Sequence, residues 1–159
     1  MTQFNLSEFG AVGDGKFDCS ASFKSAFNKI AEAGGGKLVV EKGVWLTGPI
    51  DIPSDTTVEL LEGAEISFLT DPNLYPPAFT RWEGVECYAM HALIRSSDTK
   101  NVSIIGKGTV NGNGKAWWDL KNEKKKKGQS APEEVYEIAL AKLNPGYENQ
   151  AGGGGGRET

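Results

Sequence analysis

The sequence predicts a mostly-β chain: a right-handed parallel β-helix, closed at its N-terminal end by a short capping helix and truncated after its first few coils. Three observations carry that prediction. Pairs of short alternating strands recur at a period near 20 residues, glycines separate the strands of each pair, and one amphipathic helix precedes the first pair.

Phe9-Gly10-Ala11-Val12-Gly13-Asp14-Gly15-Lys16 is a glycine-punctuated turn. Asp14-Gly15 makes it tight, because glycine tolerates positive φ and an aspartate bonds its own following backbone. Asp18 or Ser20 then caps a helix whose apolar residues Phe23, Ala26, Phe27, Ile30 and Ala31 share one face. Gly34-Gly35-Gly36 ends it, and Lys37-Leu38-Val39-Val40 opens an extended run. A helix of about three turns is marginal alone. Its stripe must therefore cover something, and the first coil of a solenoid is a surface that needs covering.

The strands that follow repeat. Leu38 matches Val58, Val40 matches Leu60, Gly43 matches Gly63, Val44 matches Ala64 and Leu46 matches Ile66, all offset by 20. Val102, Ile104, Ile105 and Val110 match Val58, Leu60, Leu61 and Ile66 at an offset of 44, twice 22. Each unit reads as one coil whose inward residues stack on those of the next. A leucine-rich repeat would need a regular Leu-x-x-Leu-x-Leu, which is absent.

Thr70 to Tyr88 interrupts the coils. Asp71-Pro72-Asn73-Leu74-Tyr75-Pro76-Pro77 suits an ordered surface loop better than a strand. Trp117-Trp118 follows Gly112-Asn113-Gly114; in an extended segment the two rings point opposite ways, so at most one faces a ligand, and packing is favoured. Asn111 and Asn113 form an internal ladder or cap the turn, and His91, between Met90 and Ala92, reads as packed or half-exposed. Lys124-Lys125-Lys126-Lys127 reads as a solvated loop. Ser130 and Glu133 fit a capping box ahead of a helix with an apolar stripe of Val135, Ile138, Ala139 and Leu143, ended by Asn144-Pro145-Gly146.

Read together in this order, Phe9-Gly10-Ala11-Val12-Gly13-Asp14-Gly15, Gly34-Gly35-Gly36-Lys37-Leu38-Val39-Val40, Trp45-Leu46-Thr47-Gly48-Pro49-Ile50, Phe79-Thr80-Arg81-Trp82-Glu83-Gly84-Val85-Glu86 and Ile105-Gly106-Lys107-Gly108-Thr109-Val110-Asn111-Gly112 resemble the N-terminal portion of bacterial polygalacturonases of glycoside hydrolase family 28. The resemblance runs from about Phe4 to Trp118 and extends toward Thr159. It implies a pectin-lyase-like solenoid divided into an N-terminal strand, turn and capping helix (1–36), first coils (37–118, with the loop at 70–88) and a helical insertion with a glycine-rich end (119–159).

The resemblance also implies an inverting hydrolase acting on the α-1,4-galacturonosyl bonds of pectin and oligogalacturonides, with one carboxylic acid protonating the glycosidic oxygen and others activating water. In the family these groups sit in Asn-Thr-Asp and Gly-Asp-Asp motifs, helped by Gly-His-Gly and Arg-Ile-Lys. This sequence contains none of the four, and no Asp-Asp pair anywhere, so no residue is assigned a catalytic role and the chain is expected to be inactive alone. The substrate contacts implied are Arg81, Trp82 and Glu83, with Arg81 meeting a uronate carboxylate and Trp82 stacking on a sugar face. The competing reading pairs Arg81 with Glu83 or Glu86 and packs Trp82 into the loop, and it is favoured because a loop of this length needs its own packing. The five glycines 152–156 before Arg157 read either as a lip bringing Arg157 to the substrate or as a flexible end.

A net charge of −4 with interspersed signs argues against nucleic acid, and no run approaches the roughly 18 apolar residues of a membrane span. No secretion signal opens the sequence, so a cytoplasmic protein is expected. Cys19 and Cys87 require no disulfide, and no metal or cofactor is implied. The bare edges of an uncapped last coil predict aggregation or self-association. Two other functions stay open: a non-catalytic, tailspike-like binding module or remnant, and a lyase-type pectin enzyme. For the last, Asp51, Asp55, Asp71 and Asp98 are too scattered to build a calcium site.

Overall fold

The computed structural model describes residues 2–82, 84–128 and 132–146, so that Glu83, Ser130 and Arg157 lie outside the described residues. In chain order the first coil comprises β1 (Gln3–Asn5), a 3-10 turn at Leu6–Phe9, β2 (Asp14–Asp18) and helix α1 (Ser20–Glu32). The second comprises β3 (Gly36–Val40), β4 (Gly43–Thr47) and β5 (Ile50–Asp51). The third starts with β6 (Thr56–Leu60) and β7 (Ala64–Phe68), continues through a hairpin of β8 (Pro77–Trp82) and β9 (Val85–Met90), and resumes at β10 (Ile94–Arg95). β11 (Ser103–Gly106) and β12 (Thr109–Asn111) form the fourth, and helices α2 (Gly114–Lys126) and α3 (Val135–Leu143) follow.

Two compact units divide the chain: the described parts of 1–69 with 93–113, and of 70–92 with 114–159. In the first, successive coils stack strand on strand. One parallel sheet runs β1-β3-β6-β11, a second runs β2-β4-β7-β12, and β5 pairs with β10 on a third side. This is a parallel β-helix. Its interior is filled by columns of equivalent residues: Leu38 on Val58 and Val40 on Leu60 in one sheet, Trp45 on Ile66 and Thr47 on Phe68 in the next. Each large apolar side chain buried this way contributes roughly 1.5–3 kcal/mol. Outward positions carry polar pairs such as Lys37 with Glu59, at 2.7 Å.

The register corrects the repeat read from sequence. Aligning Gly43 with Gly63 pairs Val44 with Ala64 and Leu46 with Ile66. In the structure Gly43 stands opposite Ala64 and Trp45 opposite Ile66. The linker between β6 and β7, Leu61-Glu62-Gly63, is one residue longer than Glu41-Lys42 in the coil before, and Gly63 sits in it with φ of 81°. Because side chains alternate, a slip of one exchanges inside and outside: Trp45 is 4% exposed and Val44 37%. For β11 the offset is 46, not 44, which keeps Ile104 inward over Val58 and puts Gly106 opposite Leu60. A Cβ on Gly106 would lie 2.0 Å from the Leu60 carbonyl oxygen, so only glycine fits this approach.

The capping helix is present and buries Phe23, Ala26, Phe27 and Ile30, whereas Ala31 is exposed. Its N-cap position falls on Cys19, because Asp18 Oδ1 accepts the Ser20 N–H at 2.9 Å and the Ser20 hydroxyl instead accepts from the Gly48 N–H at 2.7 Å. That second bond ties α1 to the turn after β4. Cys19 is fully buried, which pushes its thiol pKa up, and both cysteines are free thiols. Asn101 and Asp55, both in the left-handed region, stack on adjacent coils with a 2.7 Å hydrogen bond. Asn111 and Asn113 act in the same way: their amides donate to Glu65 Oε1 and to Ser67 Oγ and the Phe68 carbonyl, while Asn111 Oδ1 caps the Asn113 N–H. Among the described residues β11 and β12 are the outermost strands of their sheets, and their inward residues Ile104 and Val110 are 45% and 44% exposed.

In the second unit, Asp71 caps a 3-10 turn at Pro72–Leu74 and Tyr75 is buried. The stretch from 77 to 90 is the antiparallel hairpin, with Phe79 opposite Tyr88 and Trp82 opposite Val85. Trp117-Trp118 is helical rather than extended, and Lys124, Lys125 and Lys126 form the last turn of α2 rather than a loop. Cationic side chains suit a helix C-terminus, which explains why the run stays helical. Lys124 pairs with the buried Glu137 and lies 5.1 Å over the Tyr136 ring; burial pulls its pKa down while Glu134 and Glu133 pull it up. The capping box of α3 is Glu134 with Glu137: Glu137 Oε2 accepts the N–H groups of Glu133 and Glu134 at 3.0 Å each. Turning Glu137 inward rotates the helix, so Leu140 and Ala141 are buried with it while Val135, Ile138 and Leu143 are exposed. Among the described residues no helix is long and apolar enough to cross a membrane.

Candidate functional site

β8 and β9 present two faces, and strand alternation sorts the candidate residues between them. Phe79 and Arg81 share one face with Tyr88 and Glu86; Thr80 and Trp82 share the other with Cys87 and Val85. Arg81 and Trp82 therefore point to opposite sides and cannot meet the same sugar ring. On Arg81's face Phe79 and Tyr88 meet edge-on at 5.5 Å, and Phe79 is 54% exposed. The Arg81 Nε donates to the Gly84 carbonyl at 3.3 Å, which holds the guanidinium near the turn.

The outer edge of this hairpin is fastened by one side chain. Asn144 Oδ1 accepts the Tyr88 N–H at 2.8 Å, and its Nδ2 donates to the Tyr88 carbonyl at 2.9 Å and to the Leu140 carbonyl at 2.8 Å. An amide imitating a strand partner in this way satisfies an edge that would otherwise be open. It also fixes the strand that carries Tyr88. In the sequence Asn144 marks only a helix end, since nothing local signals a bond spanning 56 residues.

His91 is nearly buried, with Nδ1 2.6 Å from the Ala92 carbonyl, a packed histidine rather than a base facing solvent. The scattered acids have separate local roles. Asp55 stacks with Asn101 and Asp71 caps its turn. Asp51 and Asp98 do line one cleft of about 450 Å³ beside α1, together with Arg95, which lies 3.7 Å from Asp51. Among the described residues no group of three or more His, Cys, Asp or Glu is placed to hold a metal ion. Glu83 and Arg157, the other two expected contacts, lie outside the described residues.

Fold and hairpin define the class: a parallel β-helix solenoid with a side-chain-rich hairpin inserted in its third coil. The model for glycosyl hydrolases family 28 matches residues 37–144, and the chain belongs to that family. It is 30% identical over 139 residues to the exo-poly-alpha-D-galacturonosidase of Dickeya chrysanthemi, which covers 82% of this chain and 22% of that protein. Among solved structures it resembles the hyperthermoactive exopolygalacturonase of Thermotoga maritima, with a TM-score of 0.72 and 41% identity over 78% of this chain and 28% of that one. The family 28 exopolygalacturonase of Yersinia enterocolitica is also similar, with a TM-score of 0.62 and 26% identity over 70% of this chain and 21% of that one. The chain spans about a quarter of the length of the curated relatives it matches.

Proposed function

We propose that this chain is the saccharide-engaging part of a polygalacturonase-type hydrolase, which opens α-1,4-galacturonosyl bonds of pectin-derived chains by inverting acid–base chemistry. The observation that carries this reading is the family match over 37–144, which spans both the coils and the hairpin. The sequence carries none of the family's catalytic acid or base motifs. It contains no Asn-Thr-Asp, Asp-Asp or Gly-His-Gly, so alone it binds without cutting.

Within that reading, Arg81, Phe79 and Tyr88 form the contact set in place of Arg81 with Trp82. The guanidinium fork suits a uronate carboxylate, and the exposed ring of Phe79 offers a surface to the apolar face of a sugar. Glu86 stands opposite Arg81 in the ladder. Affinity electrophoresis through gels containing polygalacturonate tests this. Arg81→Ala and Phe79→Ala are each expected to abolish most of the retardation, and Trp82→Ala to leave it intact; retardation unchanged in the first two refutes the assignment. The same reading makes the outer edges of β11 and β12, unpaired among the described residues, a surface for self-association.

A further inference from the structure

Trp118 is 62% exposed, the most exposed of the four tryptophans. It stands on α2, a helix without a single buried residue, whose five lysines outnumber Asp119 and Glu123 to give +3 in a chain of net −4. At 3.6 residues per turn, Lys115, Trp118, Lys121, Asn122 and Lys125 fall within about 120° of the helix circumference. Both acids lie outside that sector. Trp117 and Lys124 turn away from it: Trp117 packs edge-on against Tyr75 at 5.4 Å, and Lys124 pairs with Glu137. The adjacent tryptophans thus divide their roles, one holding the helix and one facing solvent.

Lys121 Nζ lies 5.5 Å from the Trp118 ring centroid. Lys115 reaches Asp119 at 2.5 Å, but with side chains 87% and 54% exposed that pair is worth little and yields to a competing anion. What remains is an indole with Lys121 over one side of its ring and two further cations on the same helix face. A polymer that presents an apolar ring face and a carboxylate on every residue complements both features, the ring stacking on the indole and the carboxylates meeting the ammonium groups.

We propose that this face of α2 is an ancillary binding strip for a polyuronate chain. The strip holds the polymer through Trp118 and through Lys115, Lys121 and Lys125, and it takes no part in bond cleavage. It rests on the polygalacturonate reading of the chain and adds to it a second contact surface, separate from the Arg81 face of the hairpin.

The test uses the full chain and its Trp118→Ala, Lys121→Gln/Lys125→Gln and Arg81→Ala variants, titrated with polygalacturonate over a salt series, with heparin and single-stranded RNA as competing polyanions. Circular dichroism confirms that each variant is folded. Trp118→Ala is expected to weaken polygalacturonate binding about tenfold at every salt concentration. The lysine pair variant is expected to weaken it most at low salt and to flatten the salt dependence, as loss of screened contacts requires. If both α2 variants bind like the wild type while Arg81→Ala does not, the strip is overturned and the substrate class stands. Wild-type binding to heparin and RNA as tight as to polygalacturonate, unaffected by Trp118→Ala, overturns it as a polyuronate site. Absence of polygalacturonate binding by the wild type overturns both.

Discussion

Thr47 offers a sharp test of how the coil interior is built. It is 0% exposed, faces inward in register with Phe68, and its hydroxyl is the buried side-chain group without a hydrogen-bond partner among the described residues. Burying a hydroxyl with no partner costs about 1–3 kcal/mol by mutational measures. Valine has nearly the same shape, so Thr47→Val opens no cavity, keeps the backbone bond from Leu69 N–H to the residue 47 carbonyl, and suits a strand. The substitution should therefore stabilise by about 1–2 kcal/mol. For a chain of this length each kcal/mol moves Tm by roughly 2–4 °C, giving a rise of about 2–8 °C by calorimetry. The reverse exchange at the neighbouring column, Val58→Thr, should lower Tm, since Val58 is 1% exposed. A fall in Tm for Thr47→Val would refute the reasoning and mean that the hydroxyl is satisfied in solution.

Other perturbations follow from the same packing. Gly106→Ala should destabilise the last coil by more than about 3 kcal/mol, because the added Cβ meets the Leu60 carbonyl at 2.0 Å and the φ of 116° is itself strained for alanine; urea unfolding with soluble yield reads it. Lys124→Ala strands the buried Glu137 carboxylate and should cost about 3–5 kcal/mol in the same assay, with much of it recovered in a Lys124→Ala/Glu137→Gln double variant. Asp14 Oδ1 accepts the N–H groups of Phe17 and Lys16, which hold its pKa below the ordinary aspartate value. Its folded pKa lies under the unfolded one, so its contribution is present above about pH 4 and is lost as pH falls through the depressed value. Asp14→Asn should flatten the acid limb of a stability-versus-pH curve and leave the neutral limb unchanged in slope.

The inward columns were legible because alternation and period coincide: Leu38, Val40, Val58 and Leu60 repeat at 20 and pair at 20. The second column shifts by one because its glycines do not hold equivalent places: Gly43 is the first residue of β4, whereas Gly63 belongs to a linker. The hairpin had a local signal that proline and the length of the loop obscured. Phe79 to Trp82 and Val85 to Tyr88 are rich in strand formers, and Gly84, with φ of 86°, stands between them. At the candidate site Arg81 could be named from sequence, but its partners could not. Adjacency suggested Trp82, whereas a strand makes Phe79 and cross-strand Tyr88 the neighbours. The inward turn of Glu137 was invisible for the same reason. It depends on Lys124, 13 residues away on another helix.

The most direct measurement of the central claim, a family 28 chain that engages polygalacturonate without the groups to cleave it, combines two readings on one sample. Saturable binding to polygalacturonate is measured by titration, and release of reducing ends is followed over the same incubation. Binding with no release is the predicted result. Release above the buffer control, abolished by no other change than removal of this chain, would contradict the account.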